Sequence, residues 1–278
     1  MDKSLAGPQL AAAEQNAPAG FWPVDVLIIG YLAATCLLTA LWFRRIPYAA
    51  WLLLTHAAAI ALILAAVKAG SPNRDRNGAV GESGFLTRAL RKLRLVFRYV
   101  YPLPYVAASY KVTAILIPVV RGVSYDRRIA SLDFALWHAN PTVWIERLYS
   151  PALTEFLQIA YTLFVPAVLL PAVLLWRRQR YAEFRFFAFL IALGYLASYV
   201  GYYIVPVRGP RFLLADLQHV QLRGVFLFEP LQHLLDRLES AHYDCFPSGH
   251  VELTILAWWS TRKLSNRQAR MVSSTWPL

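Results

Sequence analysis
The chain has 278 residues, of which 58% are hydrophobic and only 16% charged, and its mean hydropathy is +0.41. A soluble domain of this length needs more charge to cover its surface, so the composition excludes an ordinary soluble fold and makes lipid part of the solvent. The 28 Lys and Arg against 16 Asp and Glu sit in short blocks beside apolar runs, a pattern of membrane-flanking charge rather than of a nucleic-acid-binding face.

Residues 1–23 are rich in Ala, Gln and Pro and read as a loose tail. An apolar helix needs about 20 residues to cross the hydrocarbon. Val24–Phe43 carries no charge after Asp25, and Pro47–Val67 has only His56 as a titratable group, so residues 24–69 are predicted to form a transmembrane hairpin. The first run is too long for a secretory h-region and lacks a small-residue cleavage site before Arg44, which makes it an uncleaved anchor. Residues 70–98 follow as a basic cytoplasmic loop. Its first half is rich in Gly, Ser and Asn, and its second half carries Arg88, Arg91, Lys92, Arg94 and Arg98, which read as an inner-surface basic helix touching lipid headgroups.

Residues 99–278 read as one further membrane domain. Val100–Val120 is interrupted by Lys111 and three prolines; Leu153–Leu175 tolerates Glu155 and Gln158; Phe186–Val205 holds no ionisable group except tyrosines. A sixth, shorter run from about Ser248 to Ser260 ends against Arg262 and Lys263. The predicted fold class is therefore all-α, a polytopic integral membrane helical bundle with about six transmembrane helices. With the N-terminus inside, the inner segments hold 17 Lys and Arg and the outer ones 10, so the positive-inside rule favours a cytoplasmic N-terminus.

The stretch from Val205 to Glu252 carries the chemistry. It opens with Pro206-Val207-Arg208-Gly209-Pro210-Arg211-Phe212 at the end of the fifth span and closes with Phe246-Pro247-Ser248-Gly249-His250 at the start of the sixth. Both ends therefore lie at one membrane face, the external one in this topology. Arg208 and Arg211 are fork-shaped donors suited to phosphate oxygens, Gly209 allows close backbone approach, and Pro206 and Pro210 stiffen the turn. Ser248 is placed as an N-cap, and the helix start at Gly249 and His250 offers amide donors and a positive dipole end. The His250 imidazole beside a phosphate suits a general acid. Each end alone also fits a headgroup-contacting loop or a simple cap.

The Phe246–His250 segment resembles the second signature of the type 2 phosphatidic acid phosphatase superfamily. The Pro206–Phe212 segment is similar to the first signature as it occurs in the inositolphosphotransferase branch, which includes inositol phosphorylceramide synthases. Tyr125–Asp133 and Leu153–Tyr161 also look like that branch, so the resemblance covers about residues 100–265. It implies a membrane enzyme without metal or cofactor, acting on lipid phosphates. In such enzymes a histidine of a third signature attacks phosphorus, and the histidine of the second protonates the leaving oxygen. His250 would then be the acid, with Arg208, Arg211, Ser248 and Gly249 holding the phosphoryl oxygens and Gly209, Pro210, Asp126, Tyr161 and His242 in support.

Two departures qualify the resemblance. The common first signature has a Lys seven residues before its Arg, where this chain has Gly201 or Ile204. The third signature needs Arg, His and Asp, and neither His nor Asp follows His250 within these 278 residues, which makes the membrane domain look C-terminally incomplete. Two functions follow as expectations: a lipid-phosphate phosphatase or phosphoalcohol transferase, or a catalytically inactive or truncated relative that at most binds lipid phosphate. The partners expected are membrane lipids and a lipid-phosphate substrate, with no nucleic acid. Among the remaining polar residues, His219, His233 and His242 are expected at the interface. His56 should face the bundle and Lys111 should snorkel. Asp126, Asp133 and Glu155 should organise the outer face by pairing with arginines.

Overall fold
A computed structural model describes residues 20–69, 85–238 and 243–274. The described residues are helical, with α1 Pro23–Leu41, α2 Ala49–Lys68, α3 Phe85–Val100, α4 Pro102–Val120, α5 Asp126–Trp137, α6 Pro141–Trp144, α7 Pro151–Thr162, α8 Phe164–Arg177, α9 Tyr181–Ile204, α10 Pro210–Leu213, α11 Phe228–Leu238 and α12 Gly249–Ser274. No strand occurs among them. The predicted tail lies largely outside the described residues, as does the first half of the predicted basic loop.

Among the described residues, five helical segments are long and apolar enough to cross a membrane: α1, α2, α4, α9 and the joined α7–α8 segment Pro151–Arg177. The all-α membrane class expected from the hydropathy is thus present. The sixth expected span differs. It is a 26-residue helix, α12, that runs past its short apolar stretch into Arg262, Lys263 and a polar tail, and so falls outside the set of five. The second half of the basic segment is a helix, Phe85–Val100.

Local chemistry explains the boundaries. Pro23 opens α1, where its missing N–H is no loss. Asp25 accepts the Trp22 amide at 2.8 Å, the reciprocal half of a capping box. Thr35 and Thr39 return their hydroxyls to the Tyr31 and Thr35 carbonyls, at 2.9 and 2.7 Å, so both are buried without an unpaired donor. His56 does the same, its Nδ1 standing 2.7 Å from the Leu52 carbonyl. Pro166 has no N–H to offer Thr162, which accounts for the break between α7 and α8.

The chain packs as two compact units. One comprises the residues up to 107, 170–194 and those from 256 onward; the other comprises 108–169 and 195–255. The first unit is built around a buried ion pair. Arg98 Nη2 lies 2.5 Å from the Asp25 carboxylate and also bonds the Gly20 carbonyl at 2.9 Å. The Tyr101 hydroxyl donates to the other Asp25 oxygen at 2.6 Å. Two guanidinium groups approach the Trp22 ring, with Arg98 at 4.2 Å and Arg185 at 5.0 Å from its centroid. Tyr99 packs against Trp22, Trp176, Tyr181 and Phe184. Arg98 therefore leaves the headgroup-facing basic block and points inward, because Asp25 at the foot of an apolar helix needs a cation and donors.

Breaking a buried pair by removing one partner costs about 3–5 kcal/mol, since the other charge stays buried. Arg98→Met should accordingly lower the thermal stability of the detergent-solubilised chain far more than Lys92→Ala, a change at an exposed residue of the same helix. Equal losses for the two variants would contradict the central place given to this pair.

Candidate functional site
The second unit holds the residues singled out between Val205 and His250. The segment leaving α9 is tied to residues 121–126 along its backbone. Arg121 donates to the Ile204 carbonyl at 3.2 Å, and the Tyr125 amide donates to the Pro206 carbonyl at 2.9 Å. The Asp126 carboxylate then accepts the amides of Arg208 and Gly209, at 2.9 and 2.8 Å. Asp126 also bonds the Ser124 hydroxyl. The expectation that Asp126 pairs with arginine side chains is corrected here: it holds the turn by its main chain and leaves the guanidinium groups outside. Arg208 and Arg211 are both exposed, and their guanidinium carbons lie 4.5 and 4.9 Å from the centroid of the Phe212 ring. That one ring gathers two cations whose donors face outward.

The turn is shaped by two glycines. Gly209 has φ +101°, and a Cβ there would stand 2.9 Å from the Cys245 Sγ, so a side chain is excluded by conformation and by space. Pro210 follows it and opens the short α10. At Gly201 a Cβ would come within 2.5 Å of the Pro247 ring. Position 201, seven residues before Arg208, is therefore closed to the lysine of the common signature by the proline of the second one.

The other half of the site is joined to this turn by backbone. Val207 and Asp244 form a parallel bridge in which the Cys245 amide donates to the Val207 carbonyl at 3.1 Å. The Tyr110 hydroxyl donates to the Asp244 carboxylate. Helix α12 starts at Gly249, and the Ser248 hydroxyl accepts the Val251 amide at 3.4 Å, a long N-cap bond. Gly249 rests on α9, where a Cβ would stand 3.0 Å from the Tyr202 hydroxyl. One turn on, Glu252 accepts the Ser198 hydroxyl at 2.5 Å. The His250 ring is exposed at one side and packed at the other, its centroid 4.7 Å from the stacked Tyr161 ring and 4.4 Å from Phe164. Tyr161, which only the resemblance indicated, thus lies directly against His250.

Two further carboxylates hold the connection between α10 and α11, and sequence reasoning missed their partners. Glu146 accepts the His219 amide at 3.1 and 3.2 Å. Glu155 accepts four consecutive amides: Val225 at 2.9 Å, Phe226 at 3.2 Å, Leu227 at 2.5 Å and Phe228 at 3.1 Å. The signal in the sequence was a carboxylate near the start of an apolar span, which demands partners but does not name them when they are backbone N–H groups. His233 and Lys111 have exposed side chains, and His242 lies outside the described residues.

Hydrogen bonds to a charged acceptor contribute about 1.5–3 kcal/mol each, and the partial exposure of Asp126 puts its two bonds toward the low end. Asp126→Asn should therefore accelerate amide hydrogen exchange across residues 206–213 while the core of α9 keeps its protection. Unchanged exchange in that segment would show that the turn holds its shape without the carboxylate.

No curated protein and no solved structure matches the chain. A family profile described as the PAP2 superfamily matches residues 127–278, a stretch that contains Tyr161, the Arg208–Arg211 turn and the Ser248–His250 helix start. This match spans more than half of the 278 residues and agrees with described residues that are helical and include five apolar spans. The chain belongs to the PAP2 superfamily.

Proposed function
We propose that the second unit is the phosphate site of a lipid-phosphate phosphatase or phosphoalcohol transferase, of the inositolphosphotransferase kind. Arg208 and Arg211 hold the phosphoryl oxygens, helped by the Ser248 hydroxyl and the positive end of α12, and His250 donates a proton to the departing alkoxide. The observation that carries this reading is the backbone bridge from Val207 to Asp244 and Cys245, which ties the arginine turn to the segment leading into His250. The Tyr161 and Phe164 rings support it by fixing the plane of the imidazole. Gly201 supports the branch, since a first signature without its lysine fits a site in which Pro247 occupies that space.

A second reading, binding of a lipid phosphate without turnover, is favoured by one specific observation. The groups assigned to the phosphate, the exposed Arg208 and Arg211 guanidiniums and the first turn of α12, are all donors, and binding needs only donors and positive potential. His219 lies in the loop between α10 and α11, and His233 lies on α11 itself. The external placement of the site is part of the proposal and rests on the excess of Lys and Arg in the opposite loops. Gln221→Cys, in a chain with Cys36 and Cys245 replaced by Ser, should react with an impermeant thiol reagent on intact cells. Labelling only after permeabilisation would reverse the topology.

General acid catalysis contributes about 10²–10⁴ in rate, and an arginine paired with phosphate is a charge-assisted contact. With the purified chain and a panel of lipid phosphates, His250→Ala should abolish turnover while leaving binding intact. Arg211→Ala should weaken binding itself. Full turnover by the His250→Ala variant would refute the assignment. Binding without turnover in the unaltered chain would select the second reading.

A further inference from the structure
We infer that residues 222–228 form an apolar prong that inserts into the lipid headgroup and upper acyl region beside the span Pro151–Arg177. The loop presents Leu222, Val225, Phe226 and Leu227 outward, with Phe226 81% exposed, while Phe228 turns in and is buried. A loop bathed only in water would have no use for three consecutive exposed apolar side chains held in one fixed orientation. Here the orientation is fixed by the four amide bonds to Glu155. Gly224 permits the approach, since a Cβ there would stand 2.4 Å from the Glu155 carboxylate and 2.1 Å from the Phe228 Cβ.

The anchor also sets the depth. Glu155 is the fifth residue of a 27-residue apolar segment. Its 27 residues exceed the about 20 that an apolar helix needs to cross the hydrocarbon. Its first turns therefore stand in the headgroup layer, and the four residues bonded to Glu155 stand there with it. The neighbouring Phe156 and Leu157 of the same span are also exposed, so the prong continues a surface that already faces lipid. Arg223, exposed within the prong, suits lipid phosphates, and the amphipathic α11, with Glu229, Asp236 and Arg237 outside, continues from it.

The test uses the full chain with Cys36→Ser and Cys245→Ser, spin-labelled through Phe226→Cys and reconstituted in vesicles of phosphatidylcholine and phosphatidylglycerol. Collision rates with oxygen and with a water-soluble nickel chelate report depth without requiring any activity. Oxygen should exceed nickel severalfold at position 226, placing the label about 5–10 Å below the phosphates. A label introduced through Asp216→Cys should show the reverse order. If the Phe226→Cys chain cannot be produced, Val225→Cys reports the same depth. Nickel access at 226 equal to that at 216 overturns the proposal. So does dipolar broadening between labels, which would mean that a second copy of the chain covers the prong.

Discussion
Three carboxylates, Asp126, Glu146 and Glu155, hold the connection between α9 and α11 by its main chain rather than by its side chains. An ionised carboxylate accepts hydrogen bonds only, and its two oxygens can serve several N–H groups at once. A loop at the edge of a bilayer has less water to satisfy its amides, so fixed acceptors replace that water. The arrangement leaves the Arg208 and Arg211 guanidinium groups exposed, because neither is spent on the carboxylates that position the segment. Had Asp126 paired with the Arg208 side chain, the turn would be anchored at the expense of the cation it presents.

Close packing then decides which sequence can occupy the site. Pro247 fills the space in front of Gly201, and Cys245 fills the space in front of Gly209. The two signature segments are therefore complementary at the level of single atoms, and a change in one constrains the other. Glu252 and Ser198, with Gly249 against Tyr202, seat the start of α12 on α9 in the same way. What reaches outward from this seat is the His250 ring, steadied by Tyr161 and Phe164.

Much of the fold was legible because hydropathy and helix punctuation are local. The apolar runs, the opening of α1 at Pro23 and the start of α12 after Pro247-Ser248 follow from residues a few positions apart. The clustering of Arg208 with Arg211 was legible for the same reason. The inward turn of Arg98 was not, since its partner Asp25 is 73 residues away. The partners of Glu155 were hidden more deeply, because backbone amides carry no residue type. The sixth helix exceeded its apolar stretch because length is set by helix-compatible residues and membrane crossing by apolar ones, and α12 separates the two.

In the proposed site the arginine turn and the α12 start face one phosphate. An experimentally determined structure of the chain with orthovanadate tests it most directly. A single oxyanion should be touched by Arg211 and by the first turn of α12, with His250 Nε2 or Nδ1 within hydrogen-bonding distance. An oxyanion bound to the arginines but remote from His250, or no bound oxyanion at a concentration that inhibits turnover, would contradict it.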